Sequence, residues 1–382
     1  MATDTHTVVI GGGVMGSAAA WALARRGIEV LLLEQYAAGH RFGSSHGSAR
    51  IFRLAYAEAF YVRLARAALP LWRELEAESG ERVLELTGGV DHGSPEQLVA
   101  IRRALRETGE LAELVPPGEV ERRWPGLRID GAALVQESSG RIDADGAVRA
   151  FLRAAGRSGA VVRHDEAVEE LRQDGDGVLV RTADHAVRAR RAAVAVGGWT
   201  TTLLASLIAV PPLRVTQEQP VHFRPSDPDL QWPSFIHHPY PGGGAPQEAA
   251  YGLAAPEGVK VGLHGAGPPV DPARRRDDVV RVDAPTLRRL RDYARDWLPG
   301  VDPDQAEPMT CLYTLTADHD FLVDRVGPLT VAAGFSGHGF KFAPAIGELV
   351  ADLVLGRRGT PERFALGRPR TPQPPGPVLR VR

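Results

Sequence analysis

Between Thr7 and Glu34 the chain switches twice between short apolar runs and a stretch with a different period. The β-branched run Thr7 to Ile10 predicts a buried strand. An alanine-rich stretch from Ser17 to Arg26 predicts a helix that stops at Gly27, and the apolar run Ile28 to Leu33 predicts a second strand. Strand, helix, strand in about 30 residues is a βαβ unit. Further on, residues 58–79 carry a helical pattern that Pro70 is expected to interrupt. The segments 144–158 and 160–164 read as a helix and a strand, and 189–200 as a buried strand ending in a glycine turn. From about 211 to 275 the pattern becomes Pro- and Gly-rich with short β-like runs, as expected of an antiparallel sheet. No internal repeat is visible, and the tail "GRPRTPQPPGPVLRVR" reads as extended.

The turn inside the first unit carries chemistry. Gly11, Gly13 and Gly16 fill G-x-G-x-x-G between the predicted strand and helix, and Glu34 closes the second strand. Gly11 permits the tight turn, Gly13 lets a pyrophosphate approach the backbone, and Gly16 lets the helix pack closely. The helix N-terminus offers N–H groups to phosphate, and an acid at Glu34 accepts from ribose hydroxyls while disfavouring a 2′-phosphate.

Composition narrows the partners. The 382 residues carry a formal charge of −2 and a pI near 6.7, which provides no electrostatic footprint for nucleic acid or an anionic membrane. No apolar run approaches the roughly 18 residues of a membrane span. With no signal peptide and no S-K-L ending, the expected location is cytoplasmic. The one cysteine, Cys311, excludes an intrachain disulfide. His237 and His238 invite a metal reading, but neighbours on a strand point to opposite faces and do not chelate one ion together, so no metal is expected.

The cationic residues are uneven. Of 45 Lys plus Arg, only Lys260 and Lys341 are lysine. An ammonium is a compact charge whose pKa falls readily on burial, whereas a guanidinium is a permanently charged fork. Both lysines and the cysteine fall in segments dense in polar residues: "YGLAAPEGVKVGLH" (251–264), "MTCLYTLTADHDFLVD" (309–324) and "GFSGHGFKFAP" (334–344), with "FGSSHGSARIFR" (42–53) as a fourth.

In these segments the chain resembles the monomeric sarcosine oxidase and N-methyltryptophan oxidase family, FAD enzymes with the D-amino-acid-oxidase type of fold. The resemblance runs from the first strand to about residue 356. It implies an α/β protein with a Rossmann-type FAD-binding domain (1–85, 145–212 and 322–365) and a second α+β substrate domain (86–144 and 213–321) built on an antiparallel sheet. Residues 366–382 are a Pro-rich tail.

The resemblance also implies roles. Cys311 carries FAD through an 8α-thioether. Lys341 and Arg53 hold the substrate carboxylate, a charge-assisted clamp that fixes the α-carbon. Arg50 lies against the flavin. Lys260 activates O2 by stabilising the charge that develops as oxygen is reduced. His264, Tyr251 and Tyr313 line the substrate cavity, the even spacing of Lys260 and His264 placing both on one face of a strand. Ser44, Ser45, His46, Val168, Gly337, His338, Gly339 and Lys341 itself join Gly11, Gly13, Gly16 and Glu34 as cofactor contacts. The turn "GFSGHG" feeds a helix with Pro344 in its first turn, whose N-terminus favours negative charge in the reduced cofactor.

The implied activity is oxidation of a secondary amino acid by a monomer: an N-methyl amino acid yields the primary amine, formaldehyde and hydrogen peroxide. Oxidation of a cyclic amine such as pipecolate or proline, without formaldehyde, is the nearest alternative. A nicotinamide dehydrogenase is disfavoured by Cys311 and "GFSGHGFK", and a flavoprotein without turnover by the set Arg53, Lys260, His264 and Lys341. The segment between Tyr251 and Lys260 is short and free of aromatics compared with the sarcosine enzymes, so the side-chain preference of the pocket does not follow from the resemblance.

Overall fold

The computed structural model describes residues 2–240, 247–274 and 282–371. Most of the Pro-rich tail and part of "HHPYPGGGAPQ" lie outside the described residues.

The βαβ unit forms as its pattern predicts. The strand Ala2–Ile10 pairs in parallel with Val30–Leu33 on one side and Ala186–Val194 on the other. Val161–Arg163 extends the sheet beyond Val30–Leu33, and Leu329–Ala333 pairs in parallel with Ala186–Val194. Antiparallel strands complete an eight-stranded sheet. The first helix, Val14–Ala24, is buried along its whole length because it is packed by the helices Ala144–Arg157 and Ala343–Val354. Its alanines let those neighbours approach closely. A helix that is apolar all round belongs in such a core.

The pattern at 58–79 gives one continuous helix, Ala59–Ser79, so the expected interruption at Pro70 does not occur. Pro70 sits on the exposed face, where solvent can take the carbonyl left without a donor. The stripe Tyr61, Val62, Ala65, Ala68, Trp72 and Leu75 holds the helix to the core.

A second eight-stranded sheet covers the carboxyl ends of the first. Its order is Val301–Pro308, Val221–Pro225, Gly258–Leu263, Ala250–Ala255, Ser234–His238, Gly89–Gly93, Ala133–Gln136 and Glu113–Val115. It is antiparallel except where Ser234–His238 runs parallel to Gly89–Gly93. Adjacent strands in the chain return antiparallel through short turns. These two come from distant segments, so topology and not a hairpin sets their direction. The helix Ala284–Trp297 packs Leu290, Tyr293 and Trp297 with Val221, Phe223, Phe235 and Val261 of this sheet. No helix among the described residues is long and apolar enough to cross a membrane.

Candidate active site

The glycine turn is built as its spacing requires. Gly11 adopts φ +102°, and a Cβ there would lie 2.5 Å from the Ala195 carbonyl oxygen. A Cβ on Gly16 would lie 1.9 Å from the Gly11 carbonyl oxygen, so only glycine lets the helix start this close to the strand. Glu34 is tied into the turn: its carboxylate accepts from Gly12 N at 2.6 Å and from Tyr36 N at 3.0 Å. Ser45 Oγ accepts from Val14 N at 3.0 Å, which satisfies one donor of the helix N-terminus. Arg50 spans the loop opposite, donating to the carbonyl oxygens of Ser44 at 2.9 Å and His46 at 2.7 Å.

From this turn a cavity of about 1080 Å³ runs between the two sheets. Gly11, Gly13, Glu34 and Val168 line it, as do Ser44, Ser45, His46, Arg50 and Cys311, and the predicted substrate residues with Gly337, His338 and Gly339. Gly16 alone of the predicted set does not line it, in keeping with a packing role.

At the far end two cations flank one tyrosine. Lys341 is buried and donates from Nζ to the Tyr56 hydroxyl at 2.9 Å and to the His338 carbonyl oxygen at 2.8 Å. The Arg53 guanidinium lies 4.4 Å from the centre of the Tyr56 ring, donates to the Ala55 carbonyl oxygen and reaches the Asp91 carboxylate at 3.3 Å. Burial, and then the charge of Arg53, hold the Lys341 pKa well below its ordinary value. Two cations held this close favour an anion between them, because a carboxylate relieves both the repulsion and the desolvation. Trp72 Nε1 donates to the Lys341 carbonyl oxygen at 2.9 Å and anchors the backbone here.

Lys260 is buried on the strand Gly258–Leu263 and donates to the Ala49 carbonyl oxygen at 3.2 Å. Burial, and after it Arg50, lower its pKa to about 7. It is therefore a charge that changes near neutrality. His222 sits directly opposite it in the neighbouring strand, and burial and Lys260 together lower that imidazole to about 4. His264 follows the end of the Lys260 strand and lines the same cavity, its pKa lowered to about 4 by burial. Its ring lies 5.4 Å from that of Tyr313. Burial raises the Tyr251 and Tyr313 hydroxyls above their ordinary range, so both are neutral hydrogen-bonding groups.

Cys311 opens the strand Cys311–Leu315, is buried, and pairs across with Glu218. The turn before the last helix approaches this strand closely: Gly337 has φ +77°, and a Cβ there would lie 2.1 Å from Tyr313 Cε2. That helix, Ala343–Val354, has Pro344 in its first turn as expected, after a short 3₁₀ turn, Phe340–Phe342.

The sequence reading missed Tyr56, Asp91 and His222, and weighed His238 only as a metal ligand. Tyr56 lies three residues after Arg53 in "RIFRLAY", a proximity that offers a weak signal. Among the described residues the side-chain partners of the Asp91 carboxylate are distant in sequence: Arg53, and His238 with Nε2 2.8 Å away. Pairing of distant strands alone brings them together.

Comparison with known proteins agrees with this geometry. The family model for FAD-dependent oxidoreductases of the DAO type matches residues 6–353. Monomeric sarcosine oxidase from Bacillus sp. (strain B-0618) is 31% identical over 373 residues, covering 93% of each chain. The peroxisomal sarcosine oxidase of Homo sapiens is 33% identical over 366 residues, covering 91% of each. Among solved structures, the open form of NikD, an unusual amino acid oxidase essential for nikkomycin biosynthesis, superposes with a TM-score of 0.84 at 30% identity, covering 97% of this chain and 99% of that one.

Proposed function

Because the chain belongs to the DAO family of FAD-dependent oxidoreductases, we propose that it acts as a monomer that oxidises an N-methyl amino acid. The balanced reaction takes the N-methyl amino acid, O2 and water to the primary amino acid, formaldehyde and hydrogen peroxide. The observation that carries the reading is the convergence of Arg53, Lys341, Lys260 and His264 on the cavity that begins at the glycine turn.

The residues present suit FAD. The cleft has a glycine loop in which a Cβ on Gly11 or Gly16 would strike backbone, a carboxylate at one end, and Arg50, Lys260 and Cys311 farther along. FAD supplies the two-electron acceptor that links amine oxidation to O2 reduction. In our reading Cys311 is its covalent attachment point. The thiol faces a cavity that also holds Lys260 and Arg50, and nearby cations favour the thiolate.

The chain's own groups supply binding, orientation and charge. Arg53 and Lys341 clamp the substrate carboxylate, with Tyr56 holding both cations in place. His264, neutral at pH 7, leaves the substrate amine free of a cationic neighbour, and Tyr251 and Tyr313 close the pocket. The ammonium of Lys260 stabilises negative charge as oxygen accepts electrons.

The test is paired formaldehyde and peroxide release across sarcosine, larger N-methyl amino acids, pipecolate and proline. Equal release of both products from an N-methyl substrate is expected. Peroxide from the cyclic amines alone would replace the N-methyl reading with ring oxidation.

A further inference from the structure

The parallel pairing of Ser234–His238 with Gly89–Gly93 has a second consequence, on the face away from the cavity. His237 and His92 are register partners, and their rings lie with centres 4.0 Å apart beneath the helix Ala284–Trp297. Neighbouring residues alternate between faces, so His238 and Asp91 point to the cavity while His237 and His92 point away. From the segment before Ala133–Gln136, Asp130 joins them. One ligand atom each from His92, Asp130 and His237 lie within 4.8 Å of one another.

Both imidazoles are fully buried, and His92 Nδ1 and His237 Nε2 make no hydrogen bond among the described residues. The His92 Nδ1 to Asp130 Oδ1 distance is 3.9 Å, too long for one. A buried polar atom left unsatisfied costs about 1–3 kcal/mol. Two such atoms facing one carboxylate call for an occupant.

We propose that His92, Asp130 and His237 bind one divalent transition-metal ion of the zinc type. Two imidazoles and a carboxylate, with water as fourth ligand, form a donor set such ions favour. Burial favours the neutral, ligating form of both imidazoles. The Asp130 carboxylate reaches solvent and supplies an entry path. Ligand atoms around a tetrahedral zinc stand about 3.4 Å apart, so the three must close in on the ion by roughly 1 Å. Supporting partners are already in place: the Tyr293 hydroxyl lies 3.4 Å from His237 Nδ1, and the Tyr240 hydroxyl donates to Asp130 Oδ2 at 2.6 Å. Such outer contacts orient metal ligands. The ion would tie together two strands, a loop and a helix. It would stiffen the strand pair whose other face carries Asp91, the partner of Arg53.

The experiment treats purified holoenzyme with EDTA, removes the chelator, and titrates with CoCl2 and then ZnCl2. The expected result is one equivalent of cobalt with the visible bands of a tetrahedral ion, displaced by zinc, and a higher melting temperature with zinc. His237→Gln and Asp130→Asn should each weaken binding by about 10- to 100-fold or more. Asp130 is partly exposed, so its variant keeps the test decisive should His237→Gln fail to fold. Absence of tetrahedral bands in the wild type, or unchanged affinity in folded Asp130→Asn, overturns the proposal.

Discussion

Lys341 donates a hydrogen bond to the hydroxyl of Tyr56 at 2.9 Å, with the guanidinium of Arg53 over the same ring. The tyrosine thus sets the separation of two cations that would otherwise repel. Tyr56→Phe keeps the ring and removes the acceptor. We expect KM for the amino acid to rise roughly tenfold, since a hydrogen bond to a charged group is worth about 1.5–3 kcal/mol, with flavin binding retained. Steady-state kinetics check this, and an unchanged KM would remove Tyr56 from the clamp.

Lys260 gives a kinetic prediction. Lys260→Met should leave anaerobic flavin reduction by substrate near its wild-type rate and slow reoxidation by about 10²–10³-fold, the scale of one preorganised charge contact. Stopped-flow separates the two steps. In the wild type, reoxidation should slow as pH rises through the Lys260 pKa, which is lowered to about 7 by burial and rises beside an anion.

The same lysine predicts a pH-dependent stability. Its folded pKa is depressed below the unfolded value near 10.5, so between about 7 and 10.5 the unfolded chain binds more protons and stability rises with pH. Burial of the charge is most costly below pH 7. Lys260→Met should therefore raise the melting temperature more at pH 6 than at pH 9. An equal shift at both would show that the Lys260 pKa is not depressed in the folded chain.

Acid precipitation tests the attachment of the flavin. Wild-type protein should retain yellow colour in the pellet, and Cys311→Ser should release its flavin to the supernatant while still binding it in native buffer. Release from the wild type would exclude a thioether.

Gly337→Ala places a methyl against Tyr313 and forces a positive φ on a residue with a Cβ. Strain and overpacking together should cost about 2–4 kcal/mol. Activity should fall with stability because Tyr313 is displaced. Urea unfolding measures the loss, and a change under 1 kcal/mol would mean that the turn relaxes freely.

The sequence by itself determined the βαβ unit and its glycine turn, because period and spacing are local properties. It also marked Lys260, Lys341 and Cys311, rare residue types in this chain that line one cavity. Pro70 misled, since the cost of a proline depends on which face of the helix it occupies. Tertiary structure alone decided the rest. The Arg53–Asp91–His238 contacts and the His92–Asp130–His237 cluster both depend on two strands about 145 residues apart running parallel in register. No local pattern encodes that pairing, which follows from how the whole second sheet closes over the first.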